Sequence, residues 1–393
     1  MKHSKRSSRW LLLAVTLALF VVAGCAPVRL GVKWPVLDVV SNNGQTRIFV
    51  AFNERVSLVR PENGAVAPLL NPEGQVRLDE NGNPRPWILM GSNADNAQFF
   101  SRPILEEADK MLLPAYNNRL LTVDLVTAQP DTVTGIALPD HVIADVIVTD
   151  DFFYVPLQQR NLIALDRQTL ETRWTLETES GIWETPLLHE GVLYVPSIDH
   201  NLYAVDAQTG EPVWSSPTYL EGAVASTPVL YEDHIYVGSF IHKLFKIDLQ
   251  GRIVATYQAN NWIWSSPVID DGVLYLADLA GTVHAINPET MTAIWSQRVS
   301  ERGFRPSPLV TPTNLIVASR DGRVYWLDKA SGEVIFQREL EGRPEVLSDL
   351  LMLEANPDQG ILESMVIVST VDPARLAVAY ALETGRQIWV YSR

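Results

Sequence analysis

The sequence predicts an all-β chain folded as an eight-bladed β-propeller of four-stranded antiparallel blades. Three observations carry that expectation. A pattern recurs about every 41 residues, a second marker keeps the same phase, and the strands between them are too apolar to leave either face in water.

The recurring pattern is clearest in Leu202-Tyr203-Ala204-Val205-Asp206, followed by Thr209, Gly210 and Trp214. It returns at 162–166 with Trp174, at 244–248 with Tyr257, at 283–287 with Trp295, at 324–328 with Phe336 and at 378–381 with Trp389. Weaker copies surround Asp124 and Arg60, where the Trp eight residues on is absent. The aligned positions 60, 124, 166, 206, 248, 287, 328 and 381 are separated by 64, 42, 40, 42, 39, 41 and 53 residues, which makes eight units. About twenty residues upstream of five of these positions runs the second marker: Arg102-Pro103, Thr185-Pro186, Thr227-Pro228, Ser266-Pro267 and Ser307-Pro308.

Within a unit the turn chemistry separates four short strands. In the fifth they are expected at 225–231, 234–239, 243–248 and 252–257, with Glu232-Asp233 and Gln250-Gly251 at two turns. Runs such as Val192-Leu193-Tyr194-Val195 need cover on both faces, which radial stacking of twisted sheets supplies. After the third strand, the Asp of Asp-x-x-Thr-Gly accepts backbone N–H bonds and the Gly takes positive φ. Two steps exceed the period, placing insertions near 71–96 and 354–361. Asp79-Glu80-Asn81-Gly82-Asn83 in the first reads as a tight hairpin, because its Gly falls where a calcium loop does not put one.

Ahead of the repeats, Lys2, Lys5, Arg6 and Arg9 precede an apolar run from Trp10 to Ala23, the layout of a secretory signal. Val22-Ala23-Gly24-Cys25 resembles the lipobox of bacterial lipoproteins. This divides the chain into a signal peptide at 1–24, a lipidated tether at 25–33 that begins with Cys25, and a single propeller at 34–393. Losing the signal moves the net charge from −15 to −19, leaving an acidic body held at a membrane by acyl chains alone. An acidic surface disfavours nucleic-acid phosphates. Ala26 rather than Asp after the Cys points to the outer membrane, facing the periplasm in a two-membrane host, and otherwise to the outer face of the cytoplasmic membrane.

The residues above resemble the pyrroloquinoline-quinone-like repeat family, as in quinoprotein alcohol dehydrogenases, with the match covering roughly 140–393. In that family the turn and its Trp dock adjacent blades. The resemblance assigns that role to Asp166, Trp174, Asp206, Trp214, Asp248, Trp295, Asp328 and Trp389. It also implies an alternative function, a quinone-dependent dehydrogenase with calcium, or a degenerate relative of one. No Cys follows Cys25, so the disulfide cap common above that quinone is impossible. By anchor, length, repeat type and blade count, the chain is more similar to the propeller lipoproteins of the complex that assembles outer-membrane β-barrels. Unlike them it completes its last unit with its own Gln387-Ile388-Trp389-Val390-Tyr391, and before the repeats only Trp34 offers a substitute.

No nucleophile with an evident base, phosphate-binding Gly loop or local His pair for a metal is present. The loops that enter the first strand of each unit, at the mouth of the central channel, carry Trp183, Trp262, Arg302, Arg305 and Arg343, residue types enriched in protein-binding surfaces. The expectation is a membrane-anchored, non-catalytic scaffold in the cell envelope, monomeric within a complex. It binds a protein partner at that mouth and needs neither metal nor cofactor.

Overall fold

Eight four-stranded antiparallel sheets follow one another along the described residues, at 36–90, 104–137, 147–176, 187–219, 229–258, 268–298, 309–339 and 351–391. The structure, a computed structural model, describes residues 34–42, 44–71, 73–90, 97–107, 110–125 and 134–393. The expected signal peptide, Cys25 and the expected tether lie outside them. We number the sheets blades 1 to 8 in chain order. In every blade the strands pair in sequence order, so no strand is exchanged between blades.

Blade 5 shows the pattern, with strands Val229–Tyr231, His234–Gly238, Lys243–Asp248 and Ile253–Gln258. The first begins four residues later than the sequence suggested, because Ser226 turns its hydroxyl to the Gly238 N–H and Thr227 donates its N–H to the next blade. Residues before the Pro thus join a rim and leave the ladder. The second and third strands are buried and the fourth alternates outward, as expected for sheets stacked radially around an inner strand.

The core is a closed ring of eight apolar seams, each shared by two neighbouring blades. Blade 8 meets blade 1 through Ile367, Ala379, Trp389 and Tyr391 against Ile48, Val50 and Val59. One contact recurs at the seams. The indole N–H of Trp174, Trp214, Trp295 and Trp389 donates to the carbonyl of Ala207, Leu249, Lys329 and Pro61 respectively, each just after the repeat's Asp position in the following blade. The aspartates act inside their own turns: Asp206 accepts from the Thr209 hydroxyl and the N–H groups of Thr209 and Gln208, which holds its carboxyl below the usual range.

The Trp missing from the first unit is present but displaced. The first insertion forms a proline-rich arm at 65–87, in which Leu69, Arg77 and Arg85 hydrogen-bond in a triangle, and Trp87 at its end donates its indole N–H to Leu125 O at 2.7 Å. Asp79 closes the hairpin tip by accepting from the backbone of Asn81 and Asn83. The second insertion works at ring closure: Ile361 is buried in the seam between blades 8 and 1, and the Gln359 amide oxygen accepts the Thr46 N–H at 2.8 Å.

Candidate functional site

The Ser/Thr-Pro marker builds the inner rim. Moving round the ring, the N–H of Arg102 donates to Asp145, that of Asp145 to Thr185, that of Thr227 to Ser266, that of Ser266 to Ser307 and that of Ser307 to Asp349. Ser348 donates to the Pro35 carbonyl and so links blade 8 to the start of blade 1. A rim tied blade to blade holds fixed the side chains just ahead of it, at the mouth of the channel.

Those side chains enclose a cavity of about 190 Å³. Phe100, Trp183, Trp264 and Arg305, each two positions before a marker, line it, as do Ile143 and Leu347 at the same place before the rim aspartates Asp145 and Asp349. Arg305 sits at the centre. Its guanidinium carbon lies 4.1 Å from the Trp34 ring centroid and 4.7 Å from that of Trp264, so the two indoles flank one cation. On one side the aromatic contacts continue from Trp34 to Phe100 at 5.1 Å, to Tyr116 and then to His141; on the other, from Trp264 to Phe240 and Trp262.

Glu184 stands deep in the same mouth, in touch with the channel yet surrounded by protein. Burial pushes its carboxyl up to about 8, with Arg305 opposing the shift and Asp349 and Asp145 adding to it. Burial also brings the Arg305 guanidinium down to about 10. Asp145 is paired with Arg102, whose Nε lies 2.5 Å from its carboxylate.

Of the residues expected at the mouth, the structure brings Trp183 and Arg305 together in the cavity wall, Trp183 donating its indole N–H to Gln158 O. Trp262 lies outside, 45% exposed and stacked on Phe240 at 4.9 Å. Arg302 and Arg343 are surface residues paired with Glu345 and Glu339. These three therefore belong to the outer rim and not to the cavity, a correction to the grouping expected from the loops. Trp34 is another: it is stacked on Arg305 in the mouth and completes no blade. Position relative to the Ser/Thr-Pro marker was the usable signal, since it decides which side chain points inward.

A quinone held over calcium does not fit these residues. The slot between Trp34 and Trp264, where a planar ring would stack, is filled by the chain's own guanidinium. Among the described residues no three His, Cys, Asp or Glu side chains converge as metal ligands.

Comparison with known proteins gives one consistent result. A sequence model of the PQQ_2 family, described as outer membrane protein assembly factor BamB, matches residues 132–261 and 258–393. A stretch of 61 residues is 34% identical to the outer membrane protein assembly factor BamB of Escherichia coli (strain K12), and equally to that of Shigella dysenteriae serotype 1 (strain Sd197). That match spans only 16% of this chain and 16% of each relative's length. The crystal structure of BamB from Moraxella catarrhalis superposes with a TM-score of 0.63 at 17% identity, covering 88% of this chain and 95% of that one. The computationally designed protein Ika8 superposes with a TM-score of 0.65 at 10% identity, covering 89% and 96%. At such identities the two solved structures share the fold alone.

Proposed function

This chain belongs to the PQQ_2 family of outer membrane protein assembly factor BamB, and from that premise we propose that it is a lipid-tethered, non-catalytic scaffold that binds a protein partner during outer-membrane protein assembly. The single observation that carries this is the family match, which runs through both halves of 132–393. The mouth face supports it physically. Trp262 and Tyr219 stand 45% and 59% exposed, and large aromatic side chains left in water mark places where a partner can remove apolar surface. Arg302 and Arg343 add rim charges of the kind that steer association.

In this reading Cys25 carries the lipid, and the body faces the periplasm from the outer membrane. Purification through the intact anchor in mild detergent, followed by identification of co-purifying chains, tests the assembly role. A stoichiometric envelope partner, lost on Trp262→Ala with the fold intact, is the expected result. Recovery of the full-length chain alone, with or without the anchor, would overturn it. Separately, Cys25→Ala should abolish acyl labelling; labelling that persists removes the lipoprotein part.

A further inference from the structure

Arg305 presents an unusual combination. Its guanidinium carbon stands 4.1 Å and 4.7 Å from two indole ring centroids, and its edge of N–H groups borders the cavity that it lines. Among the described residues none accepts a hydrogen bond from that edge, and no carboxylate lies at ion-pair distance from it. Other arginines nearby are engaged: Arg102 with Asp145, Arg320 and Arg302 with Glu345, Arg323 with Glu339. A planar fork of donors, locked in orientation and facing a cavity, matches the two oxygens of a carboxylate.

The walls narrow the class. Phe100, Trp183, Trp264 and Leu347 supply apolar surface for the body of a ligand, while Asp349 and Asp145 disfavour a dianion such as phosphate. We propose that the channel mouth is a binding site for a monoanionic carboxylate carried on an apolar or aromatic group, with both carboxylate oxygens taken by the free edge of Arg305. The site stands whether or not the outer rim carries a protein partner, because it uses the cavity and not the exposed aromatics.

Glu184 gives the site a second property. It faces Arg305, Asp349, Asp145 and the Thr227 hydroxyl, and its carboxyl is pushed up to about 8. At neutral pH it is uncharged and does not repel an incoming carboxylate. Above pH 8 it ionises, so a bound anion and the Glu184 charge oppose each other and affinity falls.

The test is titration of the full-length protein, followed by calorimetry and indole fluorescence, with phenylacetate, an acetylated tripeptide ending in a free leucine carboxylate, its C-terminal amide, and inorganic phosphate. The carboxylates should bind, and the amide and phosphate should bind at least roughly tenfold more weakly. Tighter binding of the peptide than of phenylacetate would identify the ligand as a chain terminus, and the reverse would identify a free acid. Arg305→Ala should lower carboxylate affinity roughly ten- to hundredfold with an unchanged circular dichroism spectrum. Arg305→Lys, which keeps the charge without the fork, should lose the preference for acid over amide even where the alanine variant fails to fold. Glu184→Gln should bind normally at pH 7 and lose the decline above pH 8. No binding of either carboxylate, equal binding of phosphate, or a preference that survives Arg305→Lys would each overturn the proposal.

Discussion

The seam between blades 4 and 5 and the seam between blades 5 and 6 solve one packing problem with opposite chemistry. At the first, Trp214 is 8% exposed, its ring lies against Gly251 and its indole N–H donates to Leu249 O at 2.9 Å. At the second the ladder position that Trp takes in other blades is held by Ala255, opposite Lys246, while Tyr257 two residues on turns its hydroxyl to His284 Nδ1 at 2.9 Å, and Met291 at φ +53° stands where other turns have Gly. The Pro288 carbonyl, equivalent to Leu249 O, instead receives the Tyr236 hydroxyl and the buried Lys246 ammonium, both at 3.0 Å. The same carbonyl position finds a donor again at the seam of blades 7 and 8, where Phe336 replaces the Trp and Trp326 reaches Leu382 O. What persists is therefore a donor for one buried carbonyl, because leaving it unpaired costs more than changing the residue that pairs it.

Three measurements would break or sharpen that comparison. Trp214→Ala should cost about 3–5 kcal/mol in urea unfolding, from lost burial, a cavity and an orphaned Leu249 carbonyl. A loss under about 1 kcal/mol would show that the ring is not what docks these blades. Gly251→Ala places a methyl group 2.8 Å from that ring at φ +83°, and overpacking of this kind should cost about 1–3 kcal/mol. At the polar seam, Lys246→Met should change stability by less than about 1 kcal/mol, since Tyr236 still serves Pro288 O and a buried charge is removed. A large loss there would make the ammonium the true anchor of that seam.

A separate effect, read against pH, is set by Glu184. Its folded value of about 8 lies above the ordinary 4.5, so the folded state holds an extra proton between those values. Stability should therefore fall as pH rises from about 4.5 to 8, and Glu184→Gln should flatten that slope; parallel slopes for the two proteins would place the carboxyl in water.

The repeat was readable because its strongest residues answer to local physics: an Asp that brackets its own turn, a Gly at positive φ and an indole eight residues on. Trp87 escaped that reading, since the arm at 65–87 displaces it from the repeat's arithmetic while leaving it at the same seam. The mouth was legible only in composition. Arg302, Arg305 and Arg343 look alike as loop arginines, yet Arg305 alone lies two residues before a Ser/Thr-Pro marker whose neighbour is pinned to the rim. Trp34 had no pattern to announce it, because its partner Arg305 is 271 residues away in the chain.

Because each blade is made of four consecutive strands, the joint between blades 8 and 1 is a side-by-side contact like every other in the ring. The polypeptide's beginning and end are thus an accident of threading. Joining residue 393 to residue 34 through a short linker and cutting at the exposed Glu341-Gly342 turn between blades 7 and 8 yields a circular permutant with all its sheets whole. Such a rearranged chain keeps every strand pairing of the original, whereas in a propeller closed by a shared strand the natural ends already divide a sheet.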